Sequence, residues 1–144
     1  MDRYKIYLCG GMSGLSHEEQ SKWRWNVIKG IEDGDECYGY KYELDFFNPI
    51  VYYNLEEDNH KSEREPFEFD LYNLRNSNLV IVNFNSPQSI GTAMELAVAF
   101  ENRIPVVGLN ENEYELHPWL EESTIRIFDN IDELITYIAE YFLS

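Results

Sequence analysis

Short apolar runs alternate with helix-like patterns along this chain, and that alternation restricts the fold more than any other feature. Tyr4-Lys5-Ile6-Tyr7-Leu8-Cys9 reads as a first strand, and Leu44-Asp45-Phe46-Phe47-Asn48, stopped by Pro49, as a second. Asn78-Leu79-Val80-Ile81-Val82-Asn83-Phe84 reads as a third. Ile104 to Leu109 gives a fourth strand and Thr124 to Phe128 a short fifth. Between them lie segments with apolar residues at helical spacing: Trp23, Val27 and Ile31; then Phe67, Leu71, Leu74 and Asn78; then the run around Leu96. A last helix starts at Asn130 or Asp132 and points Ile131, Leu134, Ile135, Ile138, Tyr141 and Phe142 inward. Strands separated by helices pair in parallel and are covered on both faces. The expectation is an α/β domain over residues 1–144, with a five-stranded parallel sheet flanked by helices.

Local signals refine this plan. Ser16 and Glu19 form a capping box, which opens a helix from about His17 to Ile31. Asp33 to Glu43 reads as a loop or β excursion holding Cys37, and Pro66 as a first helical residue. The charged stretch from Asn54 to Glu65 has no periodicity and reads as a loop, expected to act as a lid. Trp23 and Trp25 cannot both face the core from one helix.

Composition excludes several classes of function. The 144 residues carry a formal net charge of -16, which argues against a nucleic-acid groove and an anionic membrane surface. No apolar run is long enough to span a bilayer. Two cysteines are too few for a disulfide scaffold, so a reduced, cytoplasmic setting is expected. His17, His60 and His117 have no metal-ligand spacing, and neither a metal nor an organic cofactor is expected.

Glu95 is the lone charge in the run from Ile90 to Phe100. The strand, turn and helix order puts it at the carboxyl rim of the sheet, where α/β folds bind ligands. The Gly10-Gly11-Met12-Ser13-Gly14 turn and Asp70 should meet it there. Two carboxylates at one rim suit glycosidic-bond chemistry, one attacking the anomeric carbon and the other handling the leaving group's proton. The positive end of the helix dipole should keep Glu95 ionised. Small Gly91, Thr92 and Ala99 leave room for a sugar. The plainer alternatives are that Glu95 caps backbone amides or pairs with Arg103, and that Asp70 only answers a helix dipole. The glycine turn either cradles a phosphate or merely turns the chain; it is neither a Walker loop nor G-x-G-x-x-G.

Three segments together resemble the nucleoside 2-deoxyribosyltransferase-like family, including its deoxynucleoside 5'-monophosphate N-glycosidase branch. They are Ile6-Tyr7-Leu8-Cys9-Gly10-Gly11-Met12, Asp70 ahead of Asn78-Leu79-Val80-Ile81-Val82, and Ser89-x-Gly91-Thr92-x-x-Glu95-Leu96. The resemblance implies a flavodoxin-like sheet and a homo-oligomer with shared sites. It implies Glu95 as a nucleophile forming a deoxyribosyl ester, Asp70 as the acid for the departing base, and Tyr7 as the residue orienting Glu95. By the same resemblance Gly10 and Gly11 approach the sugar end, Asn48 lies near the base, and Ser123 belongs to a neighbour's contribution. Ser89 stands where the transferases carry an Asp, and a Ser there is typical of the monophosphate-cleaving branch. Gly11 and Ser13 replace that branch's phosphate-binding Ser and Arg. The implied reaction is cleavage of a deoxynucleoside, with the sugar passed to another base. The alternatives are hydrolysis of a nucleoside 5'-monophosphate and nucleotide binding without turnover.

Overall fold

The structure, a computed structural model of the chain, describes residues 1–12, 14–52 and 62–144. Ser13 and most of the expected lid, residues 54–61, lie outside the described residues. The strands are β1 (Arg3–Gly10), β2 (Glu43–Phe47), β3 (Leu79–Asn83), β4 (Val106–Leu109) and β5 (Arg126–Phe128). The helices are α1 (His17–Tyr38), α2 (Arg64–Arg75), α3 (Ile90–Glu101), α4 (Pro118–Glu122) and α5 (Ile131–Ile138). The five strands form one sheet in the order β2-β1-β3-β4-β5, and every pairing is parallel.

Alternate residues of each strand feed two cores, as the pleat requires. Ile6, Leu8, Leu79 and Ile81 pack with Trp23, Val27 and Ile31 of α1 and with Leu134 and Ile138 of α5. Tyr7, Cys9, Val80 and Val82 pack on the other face with Leu74 of α2 and Leu96 and Ala99 of α3. Trp23 is buried and Trp25 is exposed, as one helix face demands.

Several boundaries differ from those expected, each for a physical reason. The helix opened by the Ser16–Glu19 capping box runs on to Tyr38 and stops at Gly39, whose φ of 61° ends it in the left-handed region. Asp33 to Tyr38 are therefore helical, and Cys37 sits in the last turn rather than in a loop. Gly34, which read as a loop residue, and Gly30, inside the expected helix, are contact points: a Cβ on Gly30 would collide with Ile135, and one on Gly34 with the Tyr40 hydroxyl. α2 starts two residues before Pro66, which stays in the first turn, where its missing N–H costs no helix bond. α4 was not expected; His117 caps it through Nδ1, which accepts from the Trp119 amide at 3.1 Å, and Pro118 fills its first position. After Ile138 the chain continues as a π-helical turn, Ala139–Leu143. That turn slips the register, so Leu143 is buried and Tyr141, expected inward, is exposed.

Candidate active site

β1 and β3 are adjacent, yet their following helices, α1 and α3, cover opposite faces of the sheet. The chain therefore parts at their carboxyl ends, and a crevice opens there. A cavity of about 580 Å³ occupies it, lined by Gly10, Met12, Glu63, Pro66, Phe67, Asp70, Ser86, Gln88, Ser89, Ile90, Gly91, Thr92 and Glu95.

Glu95 sits in the second turn of α3 at the inner wall. The hydroxyl of Tyr7, a fully buried residue of β1, donates a hydrogen bond to its Oε2. Arg103, the alternative partner, lies beyond the other end of α3 at a φ of 57°. Burial raises the Glu95 carboxyl to about 7, and the nearby Asp70 charge pushes the same way. The Tyr7 hydrogen bond, the Arg24 charge and Cys9 oppose that rise. Burial in the second turn thus works against the ionised state that the helix dipole, which acts mainly in the first turn, was expected to favour. Burial also raises the Tyr7 hydroxyl strongly, with Glu95 and Asp70 adding to it, so Tyr7 stays a hydrogen donor. The buried Cys9 thiol is likewise raised by burial and by Glu95.

The other expected site residues divide. Gly10, Asp70, Ser89 and Gly91 line the cavity with Glu95. Ser89 also caps α3, its Oγ accepting from the Thr92 amide at 3.2 Å. Gly11 does not line it: its amide donates to Asn85 Oδ1 at 3.2 Å, and a Cβ there would collide with Ser86 at 2.6 Å. Asn48 is buried outside the cavity lining, where its Oδ1 accepts from the Ile50 amide at 3.3 Å. Ser123 lies at the opposite end of the sheet, its Oγ donating to Leu120 O at 2.9 Å, in a separate hollow with Arg103, Pro105 and Ile125. A single chain does not bring it to Glu95.

Three features of the site were not legible in sequence. Cys9 sits beside Glu95 because, like Tyr7, it faces the α3 side of β1. An aromatic series leads away from Tyr7: its ring stacks on Phe47 at 5.1 Å, Phe47 on Tyr52 at 5.1 Å, and Tyr52 meets Phe69 edge-on at 5.2 Å. Arg24 of α1 lies fully buried behind β1. Its helical spacing with Gln20, Val27 and Ile31 was the only hint that it points inward.

Comparison with solved structures supports the topology. A conserved protein from Enterococcus faecalis V583 superposes with a TM-score of 0.73 at 18% identity, covering 94% of this chain and 97% of that one. A 2-deoxyribosyltransferase from Bacillus psychrosaccharolyticus superposes with a TM-score of 0.71 at 17% identity, covering 92% and 91%. The chain has the 2-deoxyribosyltransferase fold. A CMP N-glycosidase from Clostridium botulinum shares it, with a TM-score of 0.57, 18% identity and coverage of 95% and 99%. No protein-family model and no curated protein matches the sequence. Among the described residues, no helix is long and apolar enough to cross a membrane.

Proposed function

We propose that this protein cleaves the N-glycosidic bond of a 2'-deoxyribonucleoside and passes the sugar to a second base. The observation that carries this reading is the meeting of Glu95, its Tyr7 donor and Asp70 at one cavity. A carboxylate oxygen of Glu95 attacks C1', the bond from C1' to the base nitrogen breaks, and Asp70 gives that nitrogen a proton. A nitrogen of the second base then attacks C1', the ester bond to Glu95 breaks, and Asp70 takes the proton back. Two displacements retain the anomeric configuration. Tyr7 holds the attacking carboxylate, Gly10 and Gly91 leave space beside it, and Phe67 in the cavity lining offers an aromatic surface to a planar base. No metal or organic cofactor is required.

A neutral nucleoside is favoured over a 5'-monophosphate. Among the described residues the cavity lining holds three acids, Glu63, Asp70 and Glu95, and no Lys or Arg. A phosphate placed there lies among acidic lining residues, and none of the described lining residues is a cation. Ser89 supports the alternative, hydrolysis of a monophosphate, because its hydroxyl and the start of α3 face the cavity.

The homo-oligomer expected from the resemblance has a candidate surface. α3 turns an apolar stripe outward: Ile90 is 77% exposed, Met94 45% and Phe100 63%, with Ala93 and Ala97 between them. A second copy on that stripe covers apolar area next to the cavity and is the route by which a segment such as that around Ser123 reaches a neighbour's site.

The deciding experiment incubates the protein with deoxynucleosides and their 5'-monophosphates, each with and without a second free base, and separates the products by chromatography. Base exchange that disappears in Glu95→Ala is the expected result. Free base without exchange identifies a hydrolase. No reaction, with ligand still bound, identifies a binding module.

A further inference from the structure

β1 is paired unevenly. Its ladder with β3 runs to Gly10↔Asn83, but its ladder with β2 ends at Tyr7↔Phe47. The backbone of Lys5 faces the β3 side, where its carbonyl accepts from the Asn78 amide at 2.8 Å. Even-numbered residues therefore face β2, as the bond from the Glu43 amide to Asp2 O shows. Beyond Tyr7 the carbonyls of Leu8 and Gly10 face a strand that has stopped. The Arg24 guanidinium fills that place: Nε donates to Leu8 O and Nη2 to Gly10 O, each at 3.4 Å. Nη1 donates to Gln20 O at 2.5 Å, and the guanidinium stacks 4.7 Å from the Trp23 ring.

Neutral carbonyls need donors, not a charge, and a Gln supplies donors at lower cost. A buried cation loses several kcal/mol of hydration unless a charge compensates it. Among the described residues, no carboxylate bonds to Arg24. The acids that feel it lie across β1: Glu95 and Asp70, with the Cys9 thiol and the Tyr7 hydroxyl between.

We propose that Arg24 is the positioning residue of this site, closing the sheet where β2 stops so as to hold the Gly10 turn and to place a fixed positive charge behind Glu95. The inference rests on the reading of Glu95 as nucleophile, and it names a residue that touches neither substrate nor the reacting atoms. Its donors anchor the turn, and its charge favours the ionised carboxylate that attack requires. Among the described residues, the groups whose charge or hydrogen bond reaches Glu95 are Tyr7 and Cys9 from β1, Asp70 from α2 and Arg24 from α1. Among them Arg24 is the only cation.

The test follows the Glu95 carboxyl by carbon NMR through a pH titration of the substrate-free protein, in the unmutated chain, Arg24→Gln and Arg24→Lys. Arg24→Gln should raise the Glu95 midpoint by about one pH unit, the size expected for a charge lost at this range. Arg24→Lys should keep the midpoint near the original value while speeding hydrogen exchange at the Gly11 and Met12 amides. The acidic limb of the pH–rate profile should move with the midpoint. A folded Arg24→Gln with an unmoved midpoint overturns the proposal. If Arg24→Gln does not fold, the double variant Arg24→Gln/Glu95→Gln decides: recovery of folding supports the coupling, and continued unfolding reduces Arg24 to a strut. The titration needs no turnover. A shifted midpoint in a protein with no glycosidic activity sinks the functional reading alone, and an unmoved one beside normal turnover sinks this inference alone.

Discussion

Glu95 is held between opposing demands. An attacking carboxylate must be ionised, yet burial raises it to about 7, above its ordinary 4.5. A group raised on folding favours the protonated folded state. The unfolded chain therefore releases the Glu95 proton first as pH climbs, and stability falls from about pH 4.5 up to pH 7. Replacing Glu95 by Gln keeps the shape and removes the charge. Glu95→Gln should abolish turnover yet be more stable than the unmutated protein at pH 8, by up to about 3 kcal/mol, with no difference below pH 4. Urea unfolding of both proteins at the two pH values checks it. Tyr7→Phe removes the donor that opposes the rise, so the acidic limb of the pH–rate profile should move further up. Turnover at neutral pH should drop roughly 10- to 100-fold, as expected for a lost charge-assisted bond of about 1.5–3 kcal/mol. An unmoved limb counts against Tyr7 as the group that holds Glu95.

At the scale of elements, glycines in helices have opposite meanings that sequence cannot separate. Gly30 lies where α1 meets α5, and the Ile135 side chain occupies the space of its missing Cβ. Gly91 lies at the start of α3 with only Ser89 Oγ, 4.0 Å away, near that space. Both changes to Ala improve helix propensity by about 1 kcal/mol. Gly30→Ala should still destabilise, because overpacking costs about 1–3 kcal/mol. Gly91→Ala should stabilise by up to about 1 kcal/mol but raise KM, since its methyl enters the cavity. Thermal melts and steady-state kinetics on the two variants distinguish these outcomes. The glycines also explain the misread end of α1: Gly30, Gly34 and Gly39 look alike in sequence, and only Gly39 ends the helix.

At the scale of the molecule, the outward stripe of α3 is the feature a single chain leaves unexplained. Ile90, Met94 and Phe100 face solvent together, although this helix also carries Glu95 on its inner side. Light scattering after gel filtration should show a dimer or larger assembly, and Met94→Glu with Phe100→Glu should return it to a monomer with its circular dichroism unchanged. A monomer in the unmutated protein removes the shared-site reading. What the sequence determined by itself is the order and direction of the elements: apolar strand runs, the Ser16 capping box and the strand-turn-helix around Glu95 are local patterns with local causes. That order brought Gly10, Asp70, Ser89, Gly91 and Glu95 to one rim. Only the tertiary structure decided the ionisation of Glu95, the Tyr7 bond, the aromatic series and the place of Arg24 behind β1. Each depends on depth of burial or on contact across tens of residues. Burial sets the cost of a charge, and a local sequence pattern does not record how far from water a side chain will finish.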